Sequence, residues 1–191
     1  MHKFTPEHSQ RLESEERYKL LPPEGTLRNA GLKQGMTFVD LGAGTGYFTR
    51  AAAEIVGRKG RVFAVEMSQE MIGILKQRGI GENVTIVPSQ EYEIPIEDSL
   101  ADLTLLAFVT HENADIRRFV GEAARVTKNE GKILFLEWKK QSEELGPPIE
   151  ERLSQAELKR ALRDYAILGE GSLTRSHYYV VIEARKPTTQ P

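Results

Sequence analysis

Apolar and polar positions alternate along the chain in blocks of two kinds. Short, nearly continuous apolar runs occur at Phe38, Val39 and Leu41, at 61–66, at 84–87, at 102–108 and at 132–138. Runs of this length and density suit strands buried on both faces, as in a parallel sheet. Between them the apolar positions recur at helical spacing. Examples are Met71, Ile72 and Leu75 behind a capping Ser68, and Ile116, Phe119, Val120, Ala123, Ala124 and Val126 behind Asn113 or Asp115. Helices are also predicted at 24–30, stopped by Gly31, and at about 45–56. Five strands alternating with helices predict an α/β fold with a mostly parallel sheet and helices on both faces.

The two ends break this rhythm. Residues 1–21 are charged with scattered apolar positions, and Ser14 can cap a short helix there or the segment can be a solvated arm. Residues 139–151 are charged and contain Gly146-Pro147-Pro148, which predicts a loop or lid. Ser154 and Glu157 form a capping-box pattern for a helix to about Asp164. Two short strands, near 166–168 and 177–184, then predict a hairpin added to the sheet. The expected organisation is one domain over 1–191, with an arm at 1–21, a core at 22–185 and a tail at 186–191.

Composition narrows the function classes. A net charge of −2 gives no basic field for nucleic acid. No apolar stretch approaches the ~18 residues of a membrane span, and the polar beginning has no leader-like pattern, so a cytoplasmic setting is expected. The absence of cysteine excludes disulfides, thiolate metal sites and cysteine nucleophiles. No metal-ligand spacing is present, so no metal is expected.

The chemistry centres on Asp40-Leu41-Gly42-Ala43-Gly44-Thr45-Gly46. An acidic residue near the carboxyl end of a strand, then glycines at alternate positions, then a helix, makes a turn through which backbone can pass close to a ligand. The helix would direct the positive end of its dipole at that ligand. A dinucleotide turn places its third glycine at the sixth position, whereas here Tyr47 occupies it and Gly46 comes one residue early. Glu66 lies twenty residues past Gly46 at the predicted end of the second strand, where a carboxylate can accept from two ribose hydroxyls.

This order of elements resembles the class I S-adenosylmethionine (SAM)-dependent methyltransferases, nearest in character to the small quinone- and sterol-type group, over residues 24–185. The resemblance implies a Rossmann-like, doubly wound, seven-stranded sheet of order 3-2-1-4-5-7-6 with a C-terminal β-hairpin, and SAM as cofactor. It implies cofactor contacts at Asp40, Gly42, Ala43, Gly44, Gly46, Glu66, Met67, Gln90, Glu91 and Ala107. The family often has Gly-Asp at its adenine-reading turn, where this chain has Ser89-Gln90. His111 follows the fourth strand and is the candidate general base, since imidazole titrates near neutrality. Helix capping or a backbone hydrogen bond is its structural alternative. Glu112 is expected to orient His111 or bind substrate, and Trp138 to line the acceptor pocket or fill the sheet-to-loop junction. Arg17 and Tyr18 on the arm are candidates to cover the donor, and Arg17 to meet a carboxylate. His2, His8 and His177 receive no role.

Cysteine-dependent arsenic and RNA-carbon methylation are excluded, and the Asn/Asp-Pro-Pro-Tyr/Phe signature of amino-group nucleic-acid methylation is absent. The expected function is methyl transfer from SAM to a small-molecule acceptor, with neither nucleic acid nor membrane as partner and the oligomeric state open. A SAM-binding module without catalysis and an NAD-type nucleotide-binding protein are the competing readings.

Overall fold

A computed structural model describes residues 15–143 and 146–185. The Ser14 cap, the first part of the arm and the 186–191 tail lie outside the described residues. In chain order the elements are α1 (Glu15–Leu20), α2 (Pro23–Ala30), β1 (Thr37–Leu41), α3 (Tyr47–Val56), β2 (Arg61–Glu66), α4 (Gln69–Gln77), β3 (Val84–Pro88), β4 (Ala101–Ala107), a 3-10 turn (Thr110–Glu112), α5 (Ile116–Val126), β5 (Thr127–Trp138), α6 (Gln155–Ala161), β6 (Ile167–Ser172) and β7 (His177–Glu183).

The seven strands form one sheet of order β3-β2-β1-β4-β5-β7-β6. The first five pair in parallel, and β7 runs antiparallel to both β5 and β6. All five residues of β1 are buried, as the central strand of a doubly covered sheet requires. Side-chain alternation sorts the core into two layers. Phe38, Leu105, Leu134 and Leu136 pack with α2 and α3 residues such as Leu27, Ala52 and Ile55. Val39, Leu106, Phe135 and Val180 pack on the other face with Phe119 and Val120 of α5 and Leu158 of α6.

Local signals behave as their chemistry dictates. Ser68 Oγ accepts from the Met71 N–H at 3.4 Å, Asp115 Oδ1 from the Arg118 N–H at 3.0 Å, and Ser154 and Glu157 form a reciprocal capping box. Gly31 ends α2 in the left-handed region at φ 101°. Four boundaries differ from expectation. The α3 helix begins at Tyr47 rather than Thr45, because Gly46 caps it at φ 87° and cannot be part of it. The turn expected at 129–131 is absorbed into β5, which starts at Thr127 and shifts register against β4 between Ala101 and Leu103. The α6 helix stops at Ala161, three residues early. The first hairpin strand extends to Ser172, since pairing with β7 continues through Tyr178.

Two connections are fastened by buried or half-buried arginines. Arg125 on α5 donates to the Ile94 and Ile96 carbonyls at 2.7 and 2.8 Å and pairs with Glu122 and Asp98, holding the segment after β3 against α5. Arg152, 3% exposed, donates to the carbonyls of Pro147, Lys139 and Gln141. The segment expected as a loop or lid is therefore tied at Lys139, Gln141 and Pro147 to a buried guanidinium. Among the described residues no helix is long and apolar enough to cross a membrane.

Candidate active site

The carboxyl ends of β1, β2, β4 and β5 lie side by side because these strands are parallel and in register. The glycine turn starts at the end of β1 and is fixed to its neighbour, with the Gly42 and Ala43 N–H groups donating to the Val65 carbonyl at 2.9 and 3.0 Å. Its glycines serve different needs. A Cβ at Gly42 would meet the Val109 side chain at 2.8 Å, so close passage of the β4 exit requires its absence. Gly46, besides its left-handed φ, faces Leu75 of α4, where a Cβ would meet Cδ2 at 2.7 Å. Gly44 has φ 55° and, among the described residues, nothing within 4 Å of a Cβ at that position. The turn is thus packed at its two ends and open at its middle, which leaves backbone bare toward a ligand.

Glu66 ends β2 and binds this open middle. Its Oε2 accepts from the Gly44 N–H at 2.8 Å, while Oε1 accepts from the Met67 and Ser68 N–H groups at 2.9 and 2.8 Å. Three backbone donors fix the carboxylate, and its oxygens together offer about four lone-pair sites. Met67 is 53% exposed, so it is not core packing. Asp40 is buried and accepts from Thr49 Oγ1 of α3 at 2.6 Å. Burial, opposed by this hydrogen bond and reinforced by the charge of Glu66, raises its carboxyl to about 7. Ala107 closes β4 and is half-buried. Gln90 and Glu91 are exposed in the turn after β3, where the Ser89 N–H donates to the Glu66 carbonyl and Gln90 bridges Glu93.

His111 sits in the 3-10 turn after β4. Its Nδ1 lies 2.8 Å from Glu137 Oε2, and the side chains of the two are 7% and 0% exposed. Glu137 Oε1 also accepts from the Thr110 and His111 N–H groups at 2.9 and 3.1 Å, so one carboxylate fixes both the turn and the ring. Burial opposes charging of the ring, but the hydrogen bond and charge of Glu137, with Glu112 and Glu151, raise the His111 pKa overall. Of the two roles expected for Glu112, orienting His111 or binding substrate, the first falls to Glu137. Glu112 is exposed, and Glu137 takes that part because β5 pairs with β4 up to Ala107 and Leu136, bringing the next residue of β5 beside the β4 exit.

Trp138 projects to the opposite face from Glu137, since successive strand residues alternate. Its ring meets Phe108 at 5.7 Å and His177 at 4.3 Å between centroids, and the Arg152 guanidinium lies 5.2 Å from its centre. Phe108 has φ 60°, a left-handed conformation uncommon for a bulky residue and costing roughly 1–3 kcal/mol. Such strain at a strand's carboxyl end marks a positioned side chain. Arg17 of α1 lies over Tyr47 at 4.3 Å and Phe108 at 5.7 Å, Tyr18 packs on Tyr47, and the Tyr47 hydroxyl donates to the Leu21 carbonyl. Arg17, Tyr18 and Leu21 therefore all meet Tyr47, the first residue after the glycine turn. Sequence reasoning gave no role to Glu137 or His177; Glu137 meets His111 from 26 residues away, and the His177 ring meets Phe108 and Trp138 only through the folded sheet.

Comparison with known proteins agrees with this layout. The family model described as "Methyltransferase domain" matches residues 39–135, from β1 through most of β5. A SAM dependent methyltransferase from Aquifex aeolicus has 31% sequence identity and a TM-score of 0.88, with 94% of this chain and 98% of that chain covered. Among curated relatives, the ubiquinone/menaquinone biosynthesis C-methyltransferase UbiE of Shewanella piezotolerans is 33% identical over 119 residues, 60% of this chain and 47% of its own length. The match thus spans about half the length of such relatives. A geranyl diphosphate C-methyltransferase from Streptomyces coelicolor shares the fold alone, with a TM-score of 0.73 at 15% identity over 94% of this chain and 87% of that one. With the glycine turn, the strand order and these likenesses in agreement, the chain belongs to the class I SAM-dependent methyltransferases, in the methyltransferase-domain family.

Proposed function

We propose that residues 1–191 work as one unit that transfers a methyl group from SAM to a small-molecule acceptor, and that His111 is the base. The carrying observation is the pairing of the open Gly44 backbone with the Glu66 carboxylate. The residues present fit the cofactor. Gly44 leaves room where a Cβ would intrude, Glu66 keeps about one lone-pair site for a ribose hydroxyl beside its three backbone donors, and exposed Met67 offers a thioether to an apolar ring face. Gln90 and Glu91 stand in the turn that would meet the adenine edge, and Ala107 leaves space at the β4 exit. A bound ammonium would favour the charged form of Asp40 and so offset its burial. When bound, SAM supplies an electrophilic methyl group.

The chain's own residues then align the acceptor, exclude water and move a proton. His111 Nδ1 is committed to Glu137, which leaves Nε2 to take a proton from an acceptor hydroxyl or carbon acid. Glu137 holds the ring's orientation and stabilises the imidazolium formed. Glu112 and Trp138 are proposed to contact the acceptor on the two sides of the β5 exit. The ubiquinone/menaquinone relatives favour a small organic acceptor over nucleic acid or protein. A cytoplasmic setting, where the charged donor is available, belongs to the same proposal. The test is a methyl-transfer screen with labelled SAM over small phenols, enols and amines. Label transfer that is lost in His111→Ala, with SAM binding retained, supports the reading. Transfer unaffected by His111→Ala removes the base from it.

A further inference from the structure

We infer that His177 is a specificity-determining residue, its Nε2–H donating a hydrogen bond to an oxygen of the methyl acceptor. The inference rests on the function proposed above and adds the group that reads the acceptor. It starts from the tautomer. Thr174 Oγ1 accepts from the backbone N–H groups of Ser176 and His177, both at 3.1 Å. Its lone pairs are then filled, so its single O–H donates to His177 Nδ1 at 2.8 Å. Nδ1 is the acceptor, and the ring proton resides on Nε2. Burial, with Arg17, Arg152 and Lys139 nearby against Glu143, lowers the His177 pKa to about 4, so the neutral ring persists.

The Nε2 atom is buried and has no hydrogen-bond partner among the described residues. Buried donors in native proteins are nearly always paired, and this one is held with care. The Leu173 and Thr174 N–H groups both donate to the His177 carbonyl, and Lys139 Nζ donates to the Thr174 and Arg175 carbonyls, closing the turn that presents the ring. The ring's location gives the orphan donor its meaning. His177 pairs with Trp138 across the β5–β7 ladder, so their side chains share a face, and the ring stands 4.9 Å from strained Phe108. Phe108 follows directly on β4, and Arg17 links its ring to Tyr47 beside the glycine turn. His111 and Glu137 occupy the other face of the same strand exits. Trp138, proposed above to contact the acceptor, thus stands in the same aromatic wall as the unsatisfied N–H.

The test uses the full chain saturated with S-adenosylhomocysteine and a matched pair of probes, acetophenone and ethylbenzene, which differ in one carbonyl oxygen. Wild type is expected to bind acetophenone about fivefold or more tightly than ethylbenzene, the gain of one hydrogen bond, and only acetophenone is expected to shift the His177 Nε2–H resonance in nitrogen-labelled protein. The preference is expected to vanish in His177→Phe and return in His177→Gln, which restores an N–H donor. Equal binding of the two probes, no binding of either, or a preference that survives His177→Phe overturns the inference and leaves the N–H a structural contact with the Trp138 ring. Failure of S-adenosylhomocysteine itself to bind overturns the underlying function instead.

Discussion

Asp40, Glu66 and Glu137 all stand at the carboxyl ends of parallel strands, yet their surroundings give them different chemistry. Asp40 has one hydroxyl partner and no solvent, and its carboxyl rises to about 7. A folded pKa above the unfolded value near 3.8 contributes stability in acid that is lost as pH rises through about 7. Asp40→Asn is therefore expected to flatten the fall in Tm between pH 4 and 7 relative to wild type; parallel Tm profiles would contradict the burial argument. His111 is also shifted upward, so its stabilising contribution is present below pH 6.5 and fades through the raised value. The same shift sets activity in the opposite sense, because a base must be neutral. The rate kcat/KM is expected to climb along a limb above pH 6.5, and Glu137→Gln to move that limb to lower pH. His111→Ala is expected to cost about 100-fold or more at the plateau, the usual scale for a positioned base. A pH–rate profile in which Glu137→Gln leaves the limb unmoved would separate the carboxylate from the base.

Elements convert these residues into a site, and the glycine turn shows how. Gly46→Ala places a Cβ 2.7 Å from Leu75 in a left-handed backbone, so a large loss of stability is expected, on the order of 1–3 kcal/mol. Gly44→Ala keeps the backbone penalty of about 1 kcal/mol but meets no atom of the described residues. Its Cβ would enter the space assigned to the donor. The pair is therefore expected to separate: Gly46→Ala lowers Tm more, and Gly44→Ala weakens SAM binding more in calorimetry at a temperature where both are folded. Similar profiles for the two would deny that the middle of the turn is the ligand's floor. Elsewhere local chemistry is additive and modest. Ser154→Ala removes a capping box and is expected to cost about 1 kcal/mol, a Tm decrease of roughly 2–4 °C by thermal melt.

At the scale of the whole molecule, what was legible in the sequence follows the range of the interactions. Caps such as Ser68, Asp115 and Ser154 act within three or four residues, so their pattern is visible along the chain. The apolar runs revealed β1 and β4 because a doubly covered strand has no polar face. The α3 start was misread because backbone conformation at Gly46, not apolar period, decides it. Glu137 was invisible as the partner of His111 because 26 residues separate them and only β4–β5 register joins them. His177 looked like an ordinary hairpin residue until antiparallel pairing set it beside Trp138. Function inherits this division, with the donor site written mostly in local motifs and the acceptor site assembled by strand order. The donor site is thus the central claim, and it is most directly tested by calorimetric titration of wild type and Glu66→Ala with SAM, S-adenosylhomocysteine and NAD. The account predicts that wild type binds SAM and its demethylated product but not NAD, and that Glu66→Ala weakens both by about 1–3 kcal/mol through lost hydrogen bonds to a charged group. Binding of NAD, binding of none of the three, or affinity for SAM untouched by Glu66→Ala would contradict it.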